Sequence, residues 1–176
     1  SRPLRGRPAV LAAAALAAVA APATAAWTEP VRGDSPLNVA PTRSASDAAI
    51  ASVGGVPYVA WREDDGSNNE VRVARLVTTG WERVGAVAVP ESPVNNDSLG
   101  DARSVSIAEV GGVPYVAWAE FDGTNTEVRV ARPTADGSGW ERVGQAVNAA
   151  SPINVSPSRN AVRPAIANVN GAPWVT

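Results

Sequence analysis

The sequence predicts an all-β protein built from repeated four-stranded units. One segment occurs three times: residues 49–61 recur as residues 106–118, 57 positions later, and the pattern begins again at residues 165–174, after a further 59. Within each repeat, short runs rich in Val are separated by Gly, Asp and Asn, which is typical of strands joined by turns. Self-similarity at a nearly fixed period indicates a repeat architecture.

The first two strands of each repeat are predicted from their apolar pattern. Residues 48–53 form a short strand of small side chains, and Gly54-Gly55 then predicts a tight hairpin turn. Residues 56–61 are apolar at nearly every position. A strand that is wet on one face alternates apolar with polar residues, so this continuous run predicts a second strand covered on both faces.

The remaining two strands follow a polar loop at residues 64–69. Residues 70–76 are rich in Val and predict the third strand. Residues 81–84 predict the fourth strand, and Glu82 and Arg83 make it the most polar of the four. Charged side chains suit an exposed edge strand, because they discourage pairing with other edges.

The order of the strands predicts a radial arrangement. The first strand has small residues, the next strands have large apolar residues, and the last strand has charged residues. This order is expected for a blade whose first strand lies near a central axis and whose last strand is exposed to solvent. Four-stranded units around a central channel are β-propellers. The predicted fold is therefore a β-propeller of four-stranded blades, represented here by a fragment of about two and a half blades. A β-solenoid and a pair of β-sandwich domains are the alternatives.

The N-terminal 26 residues predict a secretory signal peptide. Arginines at positions 2, 5 and 7 precede an apolar run at residues 9–20 and the small-residue motif Ala23-Thr24-Ala25. The run is shorter than the roughly 20 residues of a membrane span, so we expect a secreted chain, extracellular or periplasmic, without a span after cleavage. The predicted organisation is 1–26 signal peptide, 27–47 outer strand and linker, 48–104 blade and linker, 105–163 blade and linker, and 164–176 the start of a truncated blade.

Composition excludes several classes of site. All 15 basic residues are arginine, and three of them lie in residues 1–26, which leaves 12 against 17 acidic residues, a net charge of −5. An acidic surface argues against a nucleic-acid partner. The chain has no Cys and no His, so disulfides, Cys/His zinc sites and Ser-His or Cys-His nucleophiles are excluded. Paired carboxylates for glycoside hydrolysis remain open.

The repeats resemble those of sialidase-like and kelch-like propellers of secreted bacterial proteins. The resemblance rests on Gly54-Gly55 after the first strand, Tyr-Val-Ala-Trp at residues 58–61 and Trp81 at the start of the fourth strand, together with their copies. Sialidase-type propellers carry an Asp-box between the third and fourth strands. The turn at residues 134–140 is shorter than that motif, and the turn at residues 77–81 has no Asp. The resemblance implies a propeller fold outside the cell.

The loops between the second and third strands carry acidic and amide residues that could bind Ca²⁺ through oxygen. We favour a turn-forming role, because Asp, Asn and Gly are also the usual turn residues, and predict no cofactor. The residues in question are Glu63, Asp65, Asn68 and Glu70, with the copies Glu120, Asp122, Asn125 and Glu127.

Repeated charged and aromatic residues are predicted to be structural, since a residue needed once in an active site has no reason to recur. We expect salt bridges between blades for the strand-three arginines, burial for the aromatic side chains, and backbone hydrogen bonds for the linker asparagines. These are Arg72, Arg75, Arg129 and Arg132, paired with Glu63, Glu70 and their copies; Trp61, Trp81, Trp118, Trp140, Tyr58 and Tyr115; and Asn38, Asn95 and Asn154.

Recognition is predicted at the end where linkers and the second-to-third-strand loops emerge, because variable polar loops on a rigid scaffold usually carry binding. Two linker columns differ between copies: Arg43, Gly100 and Arg159, and Asp47, Ser104 and Arg163. The candidate ligand-binding residues are Asp65, Asn68, Asp122, Asn125, Arg43, Arg103 and Arg159.

The predicted function is an extracellular binding or scaffold module that recognises a glycan or a protein through these loops. No catalytic residue is predicted. The alternatives are a sialidase-like glycoside hydrolase or lyase with its active site partly in further blades, and a purely structural surface module.

Overall fold

The computed structural model describes residues 37–38, 41–85, 94–95, 100–144, 153–156 and 158–176. All of them lie in one compact unit, Val31–Thr176. The predicted signal peptide and the predicted outer strand at residues 27–31 fall outside the described residues. Within the described residues, no helix is long and apolar enough to cross a membrane.

The described residues form ten strands, which confirms the all-β prediction. The first sheet is antiparallel in the order β1 (Ala45–Val53), β2 (Val56–Asp64), β3 (Asn69–Val77), β4 (Gly80–Arg83). The second sheet repeats that order with β5 (Asp101–Val110), β6 (Val113–Phe121), β7 (Thr126–Pro133), β8 (Trp140–Arg142). A hairpin of β9 (Ile166–Val169) and β10 (Ala172–Val175) begins the third repeat.

The turn after the first strand of each repeat has the predicted backbone conformation. Gly54 and Gly55 have φ of 57° and 82°, and their copies Gly111 and Gly112 have 61° and 80°. In the third repeat Asn170 takes the first position, at φ 53°. Two consecutive positive φ angles define the turn whose twist matches a β-hairpin, and Gly and Asn are the residues that tolerate them.

Each sheet has two different faces, which the strand register defines. We call the face that carries Trp61 or Trp118 the front face, and the face that carries Ala60 or Ala117 the back face. In β2 the two faces alternate along the strand, and register pairs Trp61 with Arg72 and Ala60 with Val73. Front-face and back-face residues therefore stay on their own sides across all four strands.

Consecutive repeats pack face to face. The back face of the first sheet, including Val71 and Val73, packs against Ile107, Val116 and Trp118 on the front face of the second. The back face of the second sheet packs in turn against Ile166 of the third repeat. The first strands of the repeats also contact each other in succession, β1 with β5 and β5 with β9.

Burial of one repeated isoleucine follows from this packing. Ile107 and Ile166 are 8% and 7% exposed, whereas Ile50 on the front face of the first sheet is 70% exposed. At the other end of the series Trp174 is 61% exposed, whereas Tyr115, its counterpart, is 7% exposed. The Ile50 part of the first front face and the Trp174 side of the last hairpin are therefore exposed.

The first strand of each of the first two repeats is longer than predicted and contains a β-bulge. Pairing of β1 with β2 shifts between Ser46 and Ala49, and Asp47 inside the bulge has φ 54°. Ser104 and Arg163 repeat this conformation at 53° and 55°. The prediction that this column belongs to a variable linker was wrong for Asp47 and Ser104, because the bulge incorporates both into their strands, whereas Arg163 precedes β9.

The aromatic residues are buried only in part as predicted. Trp61 and Trp118 are 3% and 0% exposed, and Tyr115 is also buried. Tyr58, Trp81 and Trp140 are half-buried. For the last two the reason is position, because β4 and β8 are the edge strands of their sheets and pack on one side only.

Candidate functional site

The linkers and the second-to-third-strand loops emerge at the same end of the sheets, as predicted. We call this end, comprising residues 43–44, 64–69, 100–103, 121–126 and 158–161, the loop end. The backbone N–H of Asp64 donates to the Ser44 carbonyl at 3.0 Å. The guanidinium of Arg43 lies against Gly66, so closely that a Cβ at residue 66 would collide with it. Arg43 is therefore held at the rim of the first loop.

Neighbouring repeats are joined at the loop end by one carboxylate and one amide. Asp101 accepts from the backbone N–H of Asn69 at 3.1 Å and from its side-chain amide at 2.6 Å. At the next junction the corresponding residue, Asn160, accepts from the backbone N–H of Thr126 at 2.8 Å. Arg103 is an exposed side chain that pairs with Asp101 at 2.9 Å. The loop end is thus a continuous polar surface that crosses both junctions.

The predicted loop aspartates form turns. Asp65 accepts from the backbone N–H groups of Ser67 and Asn68 at 2.7 and 2.8 Å. Asp122 accepts in the same way from Thr124 and Asn125 at 2.8 and 2.7 Å. These bonds favour the charged form, so the pKa of each carboxyl lies below its usual value. One oxygen of each aspartate therefore organises its own loop.

The calcium-ligand candidates interact with other groups of the protein. Glu63 is buried and accepts from the Trp61 indole N–H at 3.0 Å, and Glu70 pairs with Arg72 at 2.8 Å. Asp65 lies in the exposed turn. Among the described residues, no three His, Cys, Asp or Glu side chains are grouped so that they could hold a metal.

The strand-three arginines pair within their own sheet, so the prediction of salt bridges between blades was wrong. Arg72 pairs with Glu70 on the same strand, and Arg129 repeats this contact with Glu127. The two outer arginines, Arg75 and Arg132, pair with Glu82 and Glu141 on the adjacent edge strand. The register explains the partners, because it places Glu82 directly opposite Arg75 and Glu141 directly opposite Arg132.

A second pair of arginines covers the buried tryptophans. Arg83 lies 4.5 Å from the centre of the Trp61 ring, and Arg142 lies 4.9 Å from that of Trp118. A guanidinium over an indole face is a favourable cation–π contact. Burial lowers the pKa of Arg142 to about 10. These residues recur in both sheets and stabilise each sheet from its front face.

The linker asparagines bond the backbone, both locally and across the junction. Asn95 accepts from the Val71 N–H at 2.7 Å and donates to the Gly100 carbonyl at 2.9 Å. Asn154 repeats both contacts with Val128 and Arg159 at 2.8 and 3.0 Å. Asn38 makes the local contact with Arg43 at 2.7 Å. The long-range bond to the preceding sheet was not predicted, because it depends on how the linker folds back.

A cleft that sequence reasoning missed lies at the opposite end, where the turns between first and second strands and between third and fourth strands are found. It has a volume of about 780 Å³. Its floor is a row across the back face of the first sheet, Tyr58, Arg75 and Glu82, which are paired strand to strand. Its wall is the front face of the second sheet, with Pro114 and Pro133. The repeat signal assigned Tyr58 to the core, and only the sheet packing places it in a cleft.

No protein-family model matches the chain, and no curated protein matches its sequence.

Proposed function

We propose that the chain is part of an extracellular β-propeller of the kind its repeats resemble, acting as a binding or scaffold module for a glycan or a protein. Recognition takes place at the loop end. In this proposal residues 1–26 direct secretion, and further blades complete the ring.

The propeller assignment is supported by the way the repeats are stacked. Each four-stranded sheet covers the next face to face, and the first strands β1, β5 and β9 contact one another in order. Ile50 and Trp174 mark the two faces that further blades would cover. In a radial array the first strands meet near the axis and the fourth strands lie outside.

The observation that carries the binding function is that different side chains stand on equivalent, fixed positions of the loop end. Arg43, Gly100 and Arg159 occupy one column of the repeat, and in each copy their carbonyl accepts from the linker asparagine. The backbone is thus the same while the side chain varies. A rigid frame that presents variable polar side chains is suited to recognition.

The proposal is tested by screening the full-length protein on an array of glycans and against extracellular proteins of its natural surroundings. We expect a specific signal that weakens at least about tenfold in Arg43→Ala and Arg159→Ala, since each variant removes a charged hydrogen-bond donor. Arg132→Ala is the matched control, because this arginine is exposed and lies at the opposite end. A signal that is unchanged by both loop-end variants overturns the assignment of the loop end.

A further inference from the structure

We propose that the cleft between the first and second sheets binds an uncharged sugar unit of a glycan, at a site separate from the loop end. The floor of this cleft is the row Tyr58, Arg75, Glu82, and its wall contains Pro114 and Pro133. The volume, about 780 Å³, is within the range of small-ligand sites, about 300–1,000 Å³.

The row combines one apolar surface with matched donors and acceptors. The register places Tyr58 directly opposite Arg75, and Arg75 donates to Glu82 from Nε at 3.0 Å and pairs through Nη2 at 2.9 Å. Arg75 and Glu82 are each about half exposed, 45% and 51%. Their outer N–H groups and oxygen lone pairs therefore face the cleft. Adjacent hydroxyl groups of a sugar both donate and accept, so they match a guanidinium beside a carboxylate.

Charge selects an uncharged ligand. The one cation and one anion of the floor neutralise each other at hydrogen-bond distance. At the rim, Asp136 is anionic, with a pKa lowered to about 2 because Thr134 and Ser138 donate to it within its own turn. An anionic sugar would meet Asp136 and Glu82, and a cationic ligand would compete with Arg75 for Glu82.

The apolar part of the lining suits the C–H face of a sugar ring. Tyr58 is half-buried on the floor, and Pro114 with Pro133 lies opposite. One end of the cleft is closed by Val84 and Gly85, against which Trp140 is fixed by a hydrogen bond from its indole N–H to the Val84 carbonyl at 3.1 Å. The Tyr58 ring and the polar pair on one side and the two prolines on the other define a slot that a sugar ring can enter.

The test is an array of neutral gluco-, manno-, galacto- and xylo-oligosaccharides, with sialylated and sulfated glycans and proline-rich peptides on the same surface, probed with the full-length protein. We expect binding to at least one neutral series and a loss of about tenfold or more in Tyr58→Ala and Glu82→Gln, measured by titration calorimetry. Ser52→Ala is the control, since Ser52 is exposed on the front face of the same sheet. Thermal unfolding verifies that each variant is folded. If Tyr58→Ala does not fold, Glu82→Gln, at an exposed position, is the variant that tests the proposal.

Several results overturn the inference. One is that no neutral oligosaccharide binds, and another is that only anionic glycans or peptides bind. A third is that a neutral oligosaccharide binds and Glu82→Gln leaves its affinity unchanged. A loss in Arg43→Ala with no loss in Glu82→Gln places the glycan at the loop end, which supports the proposed function and rejects the cleft. A loss of binding in Glu82→Gln with no loss in Arg43→Ala places the glycan in the cleft and rejects the loop end as its site.

Discussion

The Asp47 carboxylate accepts a hydrogen bond from the backbone N–H of Ser104 at 3.0 Å, and these two residues occupy the same position in consecutive repeats. Both lie in β-bulges with positive φ, at 54° and 53°. The bulge of one repeat is therefore fixed by the bulge of the previous one. At the next junction the contact differs, because the Ser106 hydroxyl accepts from the Ile166 N–H at 3.2 Å.

The strained bulge gives the first prediction. Ser104→Gly should stabilise the protein by up to about 1 kcal/mol. Gly relieves the strain of the left-handed conformation, about 1–2 kcal/mol, at some cost in the entropy of the unfolded chain. The backbone N–H at residue 104 still donates to Asp47. Ser104→Val should destabilise it by about 1–2 kcal/mol, since a branched side chain disfavours this conformation. Urea unfolding measures both, and Ser52→Val, at an exposed strand position, is the control. Equal effects at residues 52 and 104 would contradict the assignment of strain.

The second prediction concerns the asparagine that joins the linker to the preceding sheet. Asn95→Ala should lower the free energy of unfolding by about 2–3 kcal/mol, because it leaves the N–H of the buried Val71 without an acceptor. Asn38→Ala in the same column removes an exposed local bond and should cost about 0.5–1 kcal/mol. Urea denaturation compares the two. A cost at Asn38 as large as that at Asn95 would show that the local bond dominates.

The third prediction tests the contact between Gly85 and Trp140. Gly85→Ala should destabilise the protein by about 2–3 kcal/mol, since the new Cβ meets the Trp140 ring and the residue has φ 78°. Gly54→Ala has a similar φ, 57°, but open space around the Cβ, so it should cost only about 1–2 kcal/mol. Thermal unfolding gives the difference, and displacement of Trp140 should shift tryptophan emission in the residue 85 variant only. An identical loss of stability in both variants would show that the contact with Trp140 adds nothing to the cost of Gly85→Ala.

The sequence was sufficient to predict the strands, their order and the turns of the first hairpin. The reason is that three copies of one pattern place Gly54-Gly55 and its counterparts between apolar runs in the same register. It also placed the linkers and loops at one end, which Arg43 and Gly66 confirm. These features depend on local order along the chain.

Features that depend on strand pairing and on the stacking of the sheets could not be predicted from the sequence. The partner of Arg75 is Glu82, which only the strand register decides. The positive-φ position at Asp47, Ser104 and Arg163 has no common residue type, although Asp tolerates positive φ more readily than most. Tyr58 packs against the edge of the core and also lines a cleft, because of how the second sheet is seated on the first.

The last prediction uses two carboxyl groups whose pKa values shift in opposite directions. Burial raises the pKa of Glu70 above its usual value of 4.5, and the neighbouring Asp65 raises it further, against the opposing effect of Arg72. Hydrogen bonds from Asn68 and Ser67 lower the pKa of Asp65 below 3.8. A raised carboxyl pKa means that the folded state binds more protons than the unfolded state, so the contribution of Glu70 to stability falls as pH rises from about 4.5 through its folded pKa. For Asp65 the contribution is present above about pH 4 and is lost as pH falls through the folded pKa.

Comparison of the wild type with Glu70→Gln and with Asp65→Asn should therefore give slopes of opposite sign. The stability difference between wild type and Glu70→Gln should decrease as pH rises above about 4.5 and then become constant. The difference between wild type and Asp65→Asn should increase as pH rises through the lowered folded pKa of Asp65 towards its usual value of 3.8. Urea unfolding at half-unit pH intervals measures both, and Glu127→Gln should reproduce the Glu70 result, because burial raises the pKa of Glu127 as well. Slopes of the same sign for Glu70 and Asp65 would mean that the Arg72 ion pair outweighs the burial of Glu70.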